Sequence, residues 1–247
     1  MLKLIVSDFD GTLLPYGESR VSDGVLNGIS SSLKKGIKVA VSSGRTYGEL
    51  ERELSAFKND LYFICCDGAY CVKDGKTVYQ RRIENDDLKF FFDRFSEGLS
   101  FVLHGAFENY GVGALPDEAS AFCAKPIKTF SEVGENIFKI TSYGMEVKLL
   151  PTSGLRTHWD GGKNKTAQFV NKFANKGVAL SDLQTRLMLT KFDTACIGDS
   201  GNDLPMVRGS KYSFAVSARN KEFSEAVTHC VLRAEEAFEL LLSGTEF

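Results

Sequence analysis

Short β-rich apolar runs alternate with longer stretches whose apolar residues recur every three or four positions, early in the chain and again towards its end. Residues 2–7, Leu-Lys-Leu-Ile-Val-Ser, read as a buried strand bounded by Asp and Gly. Val25, Leu26, Ile29 and Leu33 then share one helical face, with Ser22 as the cap and Gly36 as the stop. Residues 37–41 make a second apolar strand ending in Ser-Ser-Gly-Arg. A helix with Leu50, Leu54 and Phe57 follows, and residues 61–65 make a third strand. Strand, helix, strand, helix, strand at this spacing predicts a parallel sheet built from right-handed crossovers.

The rhythm then changes. Tyr70-Cys71-Val72 and Thr77-Val78-Tyr79 flank Lys73-Asp74-Gly75-Lys76, the signature of a hairpin with an Asp-Gly turn. Over residues 83–159 a helix with Leu88, Phe91, Phe92 and Phe95 precedes strand-like pieces at 101–104, 137–141 and 146–150, punctuated by glycines and by Pro116, Pro126 and Pro151. This predicts a small α+β insertion. From Lys165 the first rhythm resumes, with a helix carrying Ala167, Phe169, Val170 and Phe173, then a strand over 194–197 and a short helix. A strand over 212–216, a helical turn over 221–226, a strand over 229–232 and a helix over 235–242 close the pattern. The expected fold is α/β: a doubly wound, Rossmann-like parallel-sheet core of residues 1–82 and 160–247, with an inserted α+β unit at 83–159.

Composition narrows the function classes. The 247 residues are 43% hydrophobic and 25% charged, ordinary for a globular chain that buries a sizeable core. A net charge of -2, from 30 basic and 32 acidic residues well mixed along the chain, speaks against nucleic acid or an anionic membrane as partner. No apolar run reaches the ~18 residues of a membrane span. Residues 2–6 are too short for a secretory leader and are followed at once by Asp8. Cys65, Cys66, Cys71, Cys123, Cys196 and Cys230 form no Cys-x-x-Cys pair, and they sit mostly in apolar runs where cysteine acts as a small hydrophobe. A reduced, cytoplasmic protein without a zinc site is the expectation.

Three predicted strands end in polar clusters on the edge where open α/β sheets bind ligands. The first holds Asp8 and Asp10, the second Ser43 with Arg45, the third Asp199, Asn202 and Asp203. Lys165 opens the predicted helix Thr166-Ala167-Gln168, which favours it over Lys163 as the cation of the site. Clustered carboxylates need a compensating cation, and oxygen donors without His or Cys suit Mg²⁺. An Asp carboxylate can attack phosphorus to form an aspartyl-phosphate. Mg²⁺, Lys165 and the backbone N–H groups near Gly11 would offset the repulsion between two anions, while Asp10 could protonate the leaving oxygen and later activate water.

Asp8-Phe9-Asp10-Gly11-Thr12-Leu13-Leu14, Ser43-Gly44-Arg45, Lys165 and Gly198-Asp199-Ser200-Gly201-Asn202-Asp203 resemble, in order, the four motifs of the haloacid dehalogenase-like (HAD) phosphatases. The insertion between the second and third motifs is similar to the type IIB cap of the Cof-like branch. The resemblance implies Asp8 as nucleophile and metal ligand, Asp10 as acid/base with its carbonyl on the metal, and Ser43 and Lys165 on the phosphoryl oxygens. It implies Asp199 as a Mg²⁺ ligand, Asp203 as a ligand or an organiser of the metal's water, and Asn202 as a support of the phosphate or of the metal's water. Asp10 argues against dehalogenation, whose members lack the acid/base. Ser43 stands where many Cof-like members have Thr, and Asp67-Gly68-Ala69 replaces the more usual Asn-Gly-Ala, adding a negative charge near the site.

The expected reaction is Mg²⁺-dependent hydrolysis of a small phosphorylated metabolite, a sugar phosphate by preference. Arg45, Glu108, Arg156 and His158 are the candidate substrate contacts, with His104 and Trp159 beside them. A sugar phosphomutase would use the same aspartates but need a basic cap surface, and a sugar-phosphate-binding regulator would not need the intact Asp8, Asp10, Lys165 and Asp199.

Overall fold

The computed structural model describes residues 1–95, 98–144, 154–160, 166–217 and 221–244. Its first strand, β1 (Leu4–Ser7), is buried throughout. It pairs in parallel with β2 (Lys38–Ser42) on one side and with β12 (Thr194–Gly198) on the other. The sheet extends through β13 (Tyr212–Val216) to β14 (His229–Val231) at one edge, and through β3 (Tyr62–Cys65) to the hairpin β4 (Tyr70–Lys73) and β5 (Lys76–Gln80) at the other. All pairings from β14 to β3 are parallel, while β4 and β5 run antiparallel. Asp74 (φ 51°) and Gly75 (φ 65°) give the hairpin the two left-handed residues that its tight turn requires.

Successive residues of β1 face opposite layers. Ile5 packs with Val25 and Ile29 of α1 (Asp23–Lys34) and with Phe238 of α7 (Ala234–Leu242). Leu4 and Val6 pack with Ala179, Leu180 and Leu183 of α4 (Lys176–Leu187) and with Met206 of α5 (Leu204–Arg208). Helices thus cover both faces, as doubly wound strands buried on two sides demand. Ser22 caps α1 as expected, accepting from the Val25 N–H at 3.2 Å. Helix α2 (Tyr47–Glu53) starts from a Thr46–Glu49 capping box and ends before Leu54, so the expected helix through Phe57 is completed by a separate 3₁₀ turn.

A second sheet has the order β10 (Leu155–Asp160), β11 (Thr166–Asn171), β9 (Lys139–Tyr143), β6 (Ser100–His104), β7 (Asn109–Val112) and β8 (Lys125–Pro126). Helix α3 (Asn85–Phe95) covers one face, where Phe91 meets Phe101 at 5.8 Å and Phe169 at 4.9 Å between ring centroids. The expected strand over 146–150 lies outside the described residues. The helix expected to follow Lys165 does not form. Residues 166–171 form a strand, and the second sheet therefore runs past residue 160, where the chain was expected to rejoin the first layer. The physical reason is alternation: Ala167 and Phe169 belong to the core under α3, while Gln168 and Val170 turn towards the cavity between the sheets.

Four cysteines are buried, but Cys123 and Cys230 are exposed, and all six are free thiols. No helix among the described residues is long and apolar enough to cross a membrane.

Candidate active site

The carboxyl ends of β1, β2 and β12 bring the three polar clusters to one edge of the first sheet. Asp8 follows β1 directly, its N–H held by the Ile197 carbonyl of β12 at 2.9 Å. Lys176, the first residue of α4, donates from Nζ to Asp8 Oδ1 at 2.5 Å and to Asp203 Oδ1 at 2.6 Å. Lys176 and Asp203 are 2% and 0% exposed. The other oxygen of Asp203 accepts from the N–H groups of Asp199 and Ser200 at 3.1 and 3.3 Å, so both of its oxygens are engaged. Asp8, Asp199 and Asp203 each place one oxygen within 4.8 Å of the others.

Three buried carboxyl groups against one ammonium leave this cluster short of positive charge. Burial, together with Asp203 and Asp199, raises the Asp8 carboxyl to about 7 against the pull of Lys176. Burial would lower Lys176, but Asp8 and Asp203 outweigh it and keep the ammonium protonated. Asp199 is raised by burial and by Asp203. Its Oδ1 is buried without a hydrogen-bond partner among the described residues, an arrangement that costs free energy unless something binds there. A hard divalent cation fits this donor set on both counts: all-oxygen ligands and uncompensated negative charge.

Asp10 lies at the rim. Arg45 grips it with Nε (3.1 and 3.0 Å) and Nη2 (2.7 Å), and Ser43 Oγ approaches it at 3.4 Å. The same guanidinium reaches Glu53 at 3.0 Å and lies over the Phe9 ring. Gly11 does not offer its N–H to a ligand, because that group donates to the Leu14 carbonyl at 2.7 Å. It is required for another reason: its φ is 86°, and a Cβ there would fall 2.5 Å from both Asp199 Oδ2 and the Tyr16 ring.

Lys165 itself lies outside the described residues. The helix start that favoured it does not exist, since a strand begins at Thr166, and the lysine opening a helix at the sheet edge is Lys176. Asn175 caps that helix through the Val178 N–H, and Ala179, Leu180 and Leu183 mark its buried face; this cap and spacing was the signal that would have located it.

A cavity of about 400 Å³ opens above Asp8 between the two sheets. Asp10, Tyr16, Ser43, Arg45 and Asn202 line it from the first sheet, and His104, Lys139, Arg156, His158 and Gln168 from the second. Asn202 is exposed and accepts from Ser200 Oγ at 2.7 Å. Glu108 is not in this cavity; it lines a separate cleft beside Arg52 and Phe107. The Trp159 side chain lies outside the described part of the structure.

His104 is a packed residue. Asn109 donates from Nδ2 to the Phe122 carbonyl at 2.9 Å, which turns its Oδ1 to His104 Nδ1, also at 2.9 Å. Nδ1 therefore carries the proton, and Nε2 accepts from Thr141 Oγ1 at 2.8 Å. Burial and Lys139 push its pKa down to about 3, so the ring is neutral.

A family model described as haloacid dehalogenase-like hydrolase matches residues 5–237. The chain belongs to that family. Similar proteins include YxeH of Bacillus subtilis (strain 168), 26% identical over 92% of this chain and 91% of that protein. The 5-amino-6-(5-phospho-D-ribitylamino)uracil phosphatase YbjI of Escherichia coli (strain K12) is 21% identical over 87% of this chain and 85% of its own length. Among solved structures, the HAD subclass IIB sugar phosphatase BT4131 superposes with a TM-score of 0.76 at 17% identity, covering 95% of each chain, and so shares the fold.

Proposed function

We propose that this HAD-like phosphatase hydrolyses a small phosphomonoester, a sugar phosphate by preference, through an aspartyl-phosphate formed on Asp8 with Mg²⁺ as cofactor. The observation that carries this reading is the buried Asp8–Lys176–Asp203 triplet beside an Asp199 oxygen with no partner among the described residues. Asp8 and Asp199 would hold the ion directly, with the Asp10 carbonyl. Asp203, whose oxygens are engaged, would fix Lys176 and the Asp199 loop. When bound, the ion supplies charge stabilisation for the transferring phosphoryl group.

The protein's own residues do the rest. An Asp8 oxygen bonds to phosphorus as the bond to the leaving oxygen breaks, and Asp10 gives that oxygen its proton. Asp10 then takes a proton from water, whose oxygen attacks phosphorus and releases inorganic phosphate, restoring Asp8. Lys176, the Ser43 hydroxyl and Asn202 hold phosphoryl oxygens, and Arg45 orients Asp10. Arg156, His158 and Gln168 face the leaving group from the second sheet, polar contacts that suit a polyol in a cavity of about 400 Å³. The relative described as a sugar phosphatase supports the same substrate class.

Phosphate release from p-nitrophenyl phosphate and from a sugar-phosphate panel tests the reading. Wild type with Mg²⁺ turns over, and Asp8→Asn and EDTA-treated protein lose at least 1,000-fold, on the order expected for removing a nucleophile or its electrostatic support. Equal rates in wild type and Asp8→Asn would overturn the nucleophile, and transfer of phosphate to a second sugar instead of water would show a mutase.

A further inference from the structure

Contacts between the two sheets converge on residues 43–48, the loop and first turn after β2. Lys139, on β9, donates from Nζ to the Gly44 carbonyl at 3.0 Å and lies 3.7 Å from Asp67 Oδ2. The Gly48 N–H donates to the Ala106 carbonyl of the β6–β7 loop at 3.1 Å. Phe138 stacks on Tyr70 at 4.1 Å, and the Tyr70 hydroxyl accepts from the Tyr47 N–H at 2.7 Å.

From below, the same loop is held by the turn after β3. Asp67 and Cys66, at φ 57° and 48°, donate their N–H groups to the carbonyls of Ser43 (3.0 Å) and Arg45 (2.9 Å). Each carbonyl from Ser43 to Arg45 thus has a partner. The outer two partners belong to one left-handed turn, and the middle one comes from the second sheet. A Cβ on residue 44 would lie 3.3 Å from Asp67 Oδ1 and 3.5 Å from Lys139 Nζ, so the two charged groups close over the backbone itself. Lys139 is 7% exposed, and a cation buried to that degree needs the Asp67 carboxylate and the Gly44 carbonyl together. Separation of the sheets would remove both at once.

We infer that Lys139 and Asp67 are a positioning pair, through which docking of the second sheet holds the Ser43 hydroxyl in place for the phosphoryl group. Both line the cavity, but the contacts they make are with the backbone either side of the Ser43–Gly44 step: Lys139 with the Gly44 carbonyl and Asp67 with that of Ser43. The inference rests on the proposed phosphatase reading only for what Ser43 does once it is held.

The test compares Lys139→Met, Asp67→Asn, their double variant and Lys139→Arg. Asn keeps the Asp67 N–H and tolerates its left-handed backbone. On p-nitrophenyl phosphate each neutralising single variant lowers kcat about ten-fold, the scale of a slightly misplaced group, with a smaller change in KM. The double variant is no worse than the poorer single, and Lys139→Arg recovers most of the rate. Amide exchange at Arg45 and Gly48 quickens in Lys139→Met, while amides of β1 and β12 keep their protection. Losses that multiply in the double variant, or unchanged exchange over residues 43–48, would overturn the pair. Should Lys139→Met not fold, Asp67→Asn and Lys139→Arg decide the same question by rate and exchange. If wild type hydrolyses no phosphoester, the phosphatase reading falls, and the exchange measurement still decides the pair.

Discussion

Lys176 carries its charge almost without water, between Asp8 and Asp203. Its replacement by Met leaves two buried carboxyl groups facing each other. Breaking a buried pair in this way costs about 3–5 kcal/mol, so urea denaturation of Lys176→Met shows a clearly lower midpoint and turnover is lost with it. His104 sets a pH dependence. Its pKa is about 3 in the folded protein and 6.5 in the unfolded chain, so only the unfolded state takes up a proton between those values. The stability from keeping this ring neutral is complete above pH 6.5 and declines as pH falls towards 3. Thermal melts from pH 7 to 4 are therefore flatter for His104→Gln than for wild type. The aspartates of the site were legible because each sits within five residues of a strand end, in a motif with several chemical constraints. Lys176 was not, because one lysine has no pattern of its own and is found only once the neighbouring element is assigned correctly.

At the scale of elements, the parallel strands, the Asp-Gly hairpin and the capped α1 followed directly from apolar runs and turn chemistry. Strand β11 did not. Ala167, Phe169, Val170 and Phe173 satisfy a helical spacing, and only pairing with β9 and β10 reveals the period of two. Between Phe173 and the strand at 194 the sequence pattern assigned no element; helix α4 lies there, and its apolar stripe is thin because Lys176 and Gln184 are also buried on it. The two sides of β11 have separable consequences. Phe169, 0% exposed against Phe91, costs about 3–5 kcal/mol when cut to Ala. Gln168→Ala changes stability by less than about 1 kcal/mol but alters KM for the phosphorylated substrate, because Gln168 lines the cavity. Denaturation curves and steady-state kinetics on the pair check this division.

The whole molecule holds its acidic cluster at a cost that a bound divalent cation would relieve. Mg²⁺ at about one hundred times its Kd adds about 2.7 kcal/mol to folding stability if it binds only the native state. The midpoint of thermal unfolding rises accordingly in wild type and much less in Asp199→Asn, a readout independent of turnover. Selectivity was the least legible property of the sequence. Arg156, His158 and Gln168 come from two strands of the second sheet, and only strand register places them above Asp8. Glu108 was expected among them and faces another cleft because the β6–β7 loop carries it away, pinned by Glu135 through the N–H groups of Ala106 and Glu108.

The placement of β1 has a consequence for how the chain reaches its native state. Leu4 stands opposite Lys38 on one side and Thr194 on the other, so the central strand gains one neighbour early in the chain and the other only after the whole insertion has been made. Loop closure of that length is entropically costly and slow. The two crossings between the sheets run side by side, tied by Asn171 Nδ2 to the Arg82 carbonyl at 3.0 Å, while the Ile83 N–H donates to the Ile137 carbonyl at 2.8 Å. An insertion that compacts first therefore draws its own ends together and turns a distant encounter into a near one. The second sheet would then also govern how fast β12 finds β1, and substitutions in its core, far from Asp8, would slow refolding before they changed turnover.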